Sequence, residues 1–327
     1  LRVAVRAELG PYFSSEGGAG GRGVMANTFA AFARNLMMCN RTAFARAAAE
    51  LRPRLAAPGL RLLDVGGSGG EPSLTVARAL TNVHVTSTDL APENKAIGEA
   101  RARHYGVENV SFQTADACDL SAFESDTFDA ATALYVFMFV PDLDQASREL
   151  HRVLKPGAPL VGAVWQGPPD KVPDIFKAWV GAASQLREEG VLPPPQPSDA
   201  NPMILAEQCP DGVLGDALRG AGFADVAAEE FTYELNIPGN DPQHACRKFI
   251  EGTPFLGTLL DAGGEALVER AAQMTADRAL ANGSEQVLLE DADPEWGGVD
   301  LADGIATPPR ALRFPANTCL WVTARAT

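Results

Sequence analysis

The sequence predicts an α/β fold, an open and mostly parallel sheet with helices on both faces and a ligand site outside the carboxyl ends of its strands. Three observations carry this expectation. An apolar strand runs into a turn with four glycines, LLDVGGSGGEPSL at 62–74. Two later strands are followed by a carboxylate at the same edge: VHVTSTD at 83–89 ends in Asp89, and VSFQTA at 110–115 leads into Asp116. Strand and helix patterns alternate five times, as parallel strands joined by crossover helices do.

The glycine turn comes first. Gly66, Gly67, Gly69 and Gly70 supply the positive φ values and missing β-carbons that a tight strand-to-helix turn needs, and Leu74, Val76, Ala77 and Leu80 continue at helical spacing. A helix entered this way directs unpaired N–H groups at whatever lies over the turn. Asp89 then stands where a carboxylate can accept both hydroxyls of a ribose lying across the strand ends. Taken singly, Asp89 and Asp116 read equally well as cap or turn residues. A fourth strand is expected at 127–134 (TFDAATAL) and a fifth at 158–165 (APLVGAVW), after a helix that closes on LKPG at 154–157.

The motifs DVGGSGGEPSL (64–74), TDLAPENKAIGEAR (88–101), FQTADACDL (112–120), FDAATALYVFMFVPD (128–142), RELHRVLKPG (148–157) and LVGAVW (160–165) follow one another over about a third of the chain. In this the sequence resembles the class I S-adenosylmethionine-dependent methyltransferases. It is most similar to the type-11 small-molecule branch that includes the ubiquinone and menaquinone C-methyltransferases. It departs from that pattern at Ser68, where the family's D-x-G-x-G-x-G has glycine, and at Ala158, where the family's KPGG has its last glycine.

The resemblance implies a Rossmann-like seven-stranded sheet whose last strand is antiparallel. It also implies roles for individual residues. Gly66, Gly67, Ser68 and Gly70 would shape the turn under the methionine part of S-adenosylmethionine, and Asp64 would orient its amino group. Asp89, followed by Leu90, would hold the ribose. Asp116 would accept from the adenine amine while Ala117 offers a backbone N–H. Leu134 and Tyr135 would lie near the transferable methyl, with S-adenosylhomocysteine as coproduct. The expected reaction is in-line displacement onto an S, N, O or C nucleophile of a small molecule. An NAD(P)-dependent oxidoreductase and a non-catalytic S-adenosylmethionine-binding partner subunit remain open as alternatives on the residues alone.

The rest of the chain is expected to surround this core at 59–167. Residues 1–23 read as a glycine-rich flexible lead-in. Residues 24–58, with Phe29, Phe32, Leu36, Phe44 and Leu51 at helix-like intervals, read as a helical lid whose Asn27, Arg34, Asn35 and Asn40 are polar contacts or plain solvated positions. A proline-broken lid insertion is expected at 168–210, with a short amphipathic helix DIFKAWVGAASQL inside it. From 211 to 327 the sheet finishes, a last helix and sixth strand at 213–237 and a seventh strand at 318–326, around a helical cap insertion at about 240–315. The acidic tract at 290–304 has no EF-hand spacing and reads as a solvated loop.

Composition bounds the partners. With 42 acidic against 27 basic residues, the net charge of −15 repels phosphate backbones and argues against nucleic acid. No apolar run reaches the ~20 residues of a membrane helix, so a soluble, intracellular enzyme is expected. The expected partners are a small-molecule acceptor and, optionally, a second copy of the chain. Five scattered cysteines without a C-x-x-C read as buried thiols in a reducing compartment. Leu1 opens an arginine-containing LRVAVRAELG that is compatible with the stub of a transit peptide, so the location is cytoplasmic or an organelle stroma or matrix. Of four histidines, His84, His104 and His151 sit in regular elements as structural residues, and His244 in the cap is the candidate at the acceptor site. Tyr135, Met138, Phe139, Trp165, Trp179 and Phe255 are candidate apolar walls or core. No metal-ligand cluster is expected.

Overall fold

A glycine turn and crossover helices leave a parallel strand order readable along the chain, and the computed structural model follows that order. It describes residues 37–165, 173–194, 211–253, 255–288 and 310–327. The strands are β1 (Leu60–Val65), β2 (Val83–Asp89), β3 (Val110–Thr114), β4 (Ala130–Leu134), β5 (Pro159–Trp165), β6 (Ala224–Pro238), β7 (Glu285–Leu288) and β8 (Arg310–Arg325). The helices are α1 (Arg41–Leu51), α2 (Ser73–Ala79), α3 (Pro92–Tyr105), α4 (Leu143–Val153), α5 (Asp174–Glu188), α6 (Val213–Ala221), α7 (Pro242–Glu251) and α8 (Phe255–Ala281).

The sheet runs β3-β2-β1-β4-β5-β8-β6. Strands β3, β2, β1, β4 and β5 are parallel neighbours, and β8 joins β5 antiparallel, with Leu160 opposite Ala324 and Trp165 opposite Cys319. The expected fold class therefore holds, with one addition. An eighth strand, β7, pairs antiparallel with the first residues of β8.

The described residues divide into two compact units, with the long strands β6 and β8 passing from one to the other at Phe231 and Asn317. The first unit holds β1 to β5, α1 to α4, α6 and the adjoining halves of β6 and β8. Side chains alternate across its parallel strands. Leu63, Val65, Ala131 and Ala133 face a core built with Leu143, Ala146, Leu150 and Val153 of α4 and Leu214, Ala217 and Leu218 of α6. Leu74 of α2, Ala102 of α3 and Phe112 of β3 form a separate cluster. Helix α1 buries Phe44 and Leu51, two of the residues the sequence sets at helix-like intervals, together with Ala43, Ala47 and Ala48, as part of this unit. Residues 24–36 of the expected lid lie outside the described residues.

The second unit holds α5, α7, α8, β7 and the remaining halves of β6 and β8. Phe176 of α5 meets Phe249 of α7 edge-on at 5.1 Å, and Trp179 stacks on Phe255 at 4.5 Å, so Trp179 and Phe255 are core residues of this unit. Helix α8 breaks at Gly264, whose φ of 65° and ψ of −163° interrupt the helix. No helix among the described residues is long and apolar enough to cross a membrane. The acidic tract at 290–304 lies outside the described residues.

Candidate functional site

The turn after β1 is built on a buried carboxylate. Asp64 is fully buried, and Leu63, Asp64 and Val65 run beside Thr86, Ser87 and Thr88 of β2. Its two oxygens are taken by hydroxyls: Ser73 Oγ donates to Oδ2 at 2.5 Å and Thr132 Oγ1 to Oδ1 at 2.7 Å. Burial pushes the Asp64 carboxyl up to about 7 against the pull of those two bonds. Asp64 thus ties the turn to α2 and β4 from below.

Glycine is required above it. A β-carbon on Gly67 would stand 2.2 Å from Ser87 Oγ and 2.6 Å from Asp64 Oδ2, and one on Gly66 (φ 71°) would stand 2.5 Å from Val136 Cγ2. Ser68 holds a left-handed φ of 46° without being glycine. The turn is closed by backbone bonds from Gly67 N–H to Thr88 and from Gly70 N–H to Gly67, both at 2.9 Å.

Asp89 meets the turn from the end of β2. Its Oδ2 accepts the Ser68 N–H at 2.9 Å, and its Oδ1 accepts the Ala91 N–H at 2.9 Å and Asn94 Nδ2 at 3.0 Å. Burial raises the Asp89 carboxyl above the ordinary aspartate range, opposed by these three bonds. Next to it Leu90 is 65% exposed, an apolar side chain left open at the strand edge. After β3, Asp116 is exposed and accepts the Cys118 N–H at 2.8 Å, while the half-buried Ala117 packs on the core.

The ends of β4 and β5 supply an aromatic wall. Leu134 and Tyr135 are buried, and Tyr135 holds a left-handed φ of 60° while donating its N–H to Ala163 O at 2.7 Å. Its ring lies 5.6 Å from that of Trp165. Trp165 faces Cys319 across the sheet, a buried free thiol that is hydrogen-bonded with Tyr135 and pushed up to about 11 by burial. Phe139 is half-buried at the end of the 3₁₀ turn Phe137–Phe139, and Met138 is core.

The structure gathers Asp64, Gly66, Gly67, Ser68, Gly70, Asp89, Leu90, Asp116, Ala117, Leu134, Tyr135, Phe139 and Trp165 in one unit, along the carboxyl ends of its parallel strands. His244 lies in the other unit, in the first turn of α7, where its N–H donates to Asp241 Oδ1 at 2.8 Å and its Nδ1 accepts the Asn240 N–H at 3.2 Å. Burial lowers its pKa. Asn40 is buried and accepts the Tyr233 hydroxyl at 2.7 Å. Asn27, Arg34 and Asn35 lie outside the described residues. No His, Cys, Asp and Glu group among the described residues could hold a metal.

Several residues that build the site carry no motif of their own. Arg101 of α3 is 1% exposed, donates to Gly69 O at 3.1 Å and pairs with Glu71 at 3.2 Å. Glu71, 4% exposed, in turn accepts the N–H and hydroxyl of Thr75 in α2 at 3.1 and 2.7 Å. Asn94 fixes Asp89, and Ser73 and Thr132 fix Asp64.

Comparison with known proteins places this arrangement. The family described as a methyltransferase domain matches residues 63–162. An uncharacterised protein of Mycobacterium tuberculosis is 38% identical over 237 residues, 68% of this chain and 78% of its own length. The chain belongs to the methyltransferase-domain family. It is also 36% identical over 106 residues to the ubiquinone/menaquinone biosynthesis C-methyltransferase of Agrobacterium fabrum, covering 32% of this chain and 40% of that one. Among solved structures, a putative sarcosine dimethylglycine methyltransferase from Galdieria sulphuraria aligns over 88% of this chain and 86% of its own at 13% identity, with a TM-score of 0.46. This methyltransferase-domain chain is an S-adenosylmethionine-dependent methyltransferase. The residues present fit that cofactor: the β-carbon-free floor at Gly66 and Gly67, the acid at Asp89 and the open apolar Leu90 suit an amino-acid tail, a ribose and a flat base in turn.

Proposed function

We propose that the chain methylates a small-molecule acceptor, with the cofactor lying across the turn after β1 and the ends of β2, β3 and β4. The observation that carries this reading is the bond from Ser68 N–H to Asp89 Oδ2, which brings the glycine turn and the ribose-type acid to one point. S-adenosylmethionine supplies an already activated sulfonium methyl, so the protein's task is to position a nucleophile and keep water away.

In this reading Gly66, Gly67, Ser68 and Gly70 form the floor under the methionine part, and Asp64 acts from beneath by holding Ser73 and Thr132. Asp89 accepts from the ribose, and Leu90 covers the base. Asp116 keeps one carboxylate oxygen for the adenine amine after using the other on Cys118 N–H. Tyr135, Trp165 and Phe139 wall the acceptor side, where large, flat side chains favour an apolar or aromatic body. The excess of 42 acidic over 27 basic residues suits a neutral or cationic small acceptor better than a phosphate polymer.

Thermal denaturation with S-adenosylhomocysteine and with NADH tests the cofactor half. Saturation at about 100 times Kd stabilises a native state by roughly 2.7 kcal/mol. The thioether nucleoside raises Tm and NADH does not; the opposite result overturns the reading. Incubation with S-adenosylmethionine and a panel of thioethers, amines, phenols and quinols, followed by mass spectrometry, tests the acceptor half.

A further inference from the structure

Helix α7 of the second unit carries two side-chain donors on one stripe of its surface with no acceptor for either, and we propose that this stripe binds the carboxylate of a small organic acid. The donors are Lys248 Nζ and His244 Nε2, one helical turn apart at the i, i+4 spacing that sets side chains over one another. The site lies within the second unit and does not rest on the cofactor reading.

Lys248 is 6% exposed, and its ammonium makes no hydrogen bond or ion pair among the described residues. A surface lysine buries its stem and keeps its charged head in water, and so little exposure leaves scant surface for that. A cation withdrawn from water without an acceptor is costly, so buried charges are normally paired. The next residue shows the contrast. Arg247 holds three carboxylates, Glu251 of α7 and Glu265 and Glu269 of α8. Glu251 lies three residues after Lys248, close enough on a helix to pair with it, yet its carboxylate is taken by Arg247 Nε at 2.8 Å.

His244 supplies the second donor because its tautomer is set. Nδ1 accepts the Asn240 N–H at 3.2 Å, so the proton of the neutral imidazole sits on Nε2, which has no acceptor among the described residues. Burial and then the Lys248 cation hold the ring below the ordinary histidine range; Arg247 adds to this, and Asp241 and Glu251 oppose it. At pH 7 the stripe therefore carries one positive charge and one neutral N–H. A carboxylate matches it, with an oxygen for each donor and a single negative charge against the single positive one. A phosphate monoester, at about −1.5 to −2, would bring excess charge toward Asp241 and Glu251 in a chain of net charge −15.

Imidazole nitrogen spectra of the chain with isotope-labelled histidine, titrated at constant ionic strength with sodium benzoate, phenyl phosphate or sodium chloride, test this. The chain has four histidines, and the resonances missing from His244→Asn assign the ring. Benzoate shifts the His244 ring saturably, phenyl phosphate binds more weakly and chloride shifts nothing. Lys248→Met keeps the buried stem, removes the charge and binds benzoate about tenfold or more weakly. His244→Asn keeps an acceptor for the Asn240 N–H, lacks the Nε2 donor and binds benzoate several-fold more weakly by calorimetry. A His244 ring indifferent to benzoate, an equal response to chloride, or phenyl phosphate binding as tightly as benzoate overturns the proposal. So does parental benzoate affinity in a folded Lys248→Met chain. If Lys248→Met does not fold, His244→Asn decides, and parental affinity there overturns the proposal.

Discussion

Ser73, the first residue of α2, donates its hydroxyl to the carboxylate of Asp64, one residue before the end of β1, across 2.5 Å with both side chains fully buried. The bond spans the glycine turn from beneath, so the turn is anchored at both ends to one carboxylate. Thr132 binds the other oxygen from the position that pairs with Asp64 in the sheet. The acid that the resemblance assigns to the cofactor thus already bonds Ser73 through one oxygen and Thr132 through the other.

Because burial raises the Asp64 pKa to about 7, the native state holds a proton there that the unfolded chain has lost above about pH 4. The sign follows from linkage: the native state binds more protons in that window, so stability falls as pH rises from about 4 to about 7 and levels off above. Asp64→Asn cannot ionise and keeps an acceptor for one hydroxyl. The Tm of the parent relative to Asp64→Asn should therefore decline between pH 4.5 and 7 and stay level to pH 8. A flat difference across that range would show that the buried carboxyl titrates normally.

Neighbouring positions in the turn should respond in opposite directions. Gly67→Ala drives a β-carbon into Ser87 and Asp64, where overpacking costs about 1–3 kcal/mol, and it should lower both Tm and affinity for S-adenosylhomocysteine. Ser68→Gly relieves a left-handed residue and should stabilise by about 1 kcal/mol. Chemical denaturation of the two variants beside the parent decides it; a Ser68→Gly chain less stable than the parent would mean that the serine side chain contributes to the fold.

Thiol reactivity should rank by burial. Cys118 is half-buried, and burial and Asp116 raise its pKa, whereas Cys39, Cys246 and Cys319 are buried thiols. Brief alkylation at pH 8, read by peptide mass spectrometry, should label Cys118 first of these four. Labelling of Cys319 before Cys118 would contradict the packing of Trp165 and Tyr135 around it.

The strand ends were legible in the sequence because each carried a local signal. The run LLDV before four glycines marks β1, and VHVTSTD coincides with β2 to the residue. Strand β8 was half seen: TCLWVTARA shows its apolar alternation, but Pro315 and the charged Arg310 and Arg313 hide the eight residues before it, because a proline and charges argue against a strand with neighbours on both sides. The four residues of β7 are too short to show a period. The pair Arg101 and Glu71 was invisible for another reason. Charged residues thirty positions apart read as solvent-facing, and only the tertiary fold shows that they are buried together.

That pair carries the largest expected effect of a single substitution. Removing one partner of a buried ion pair leaves the other charge uncompensated and costs about 3–5 kcal/mol. Arg101→Met should therefore destabilise strongly and weaken S-adenosylhomocysteine binding, because Gly69 O loses its donor and Glu71 its cation. Glu71→Gln keeps an acceptor for Thr75 and removes the charge. The double variant Arg101→Met with Glu71→Gln should be more stable than Arg101→Met alone, a non-additivity that a double-mutant cycle in urea reads directly. Affinity should not return with stability, since the turn carbonyl of Gly69 remains without its donor in both. If the two single effects simply add, the buried charges are solvated independently and the pair does not brace the turn.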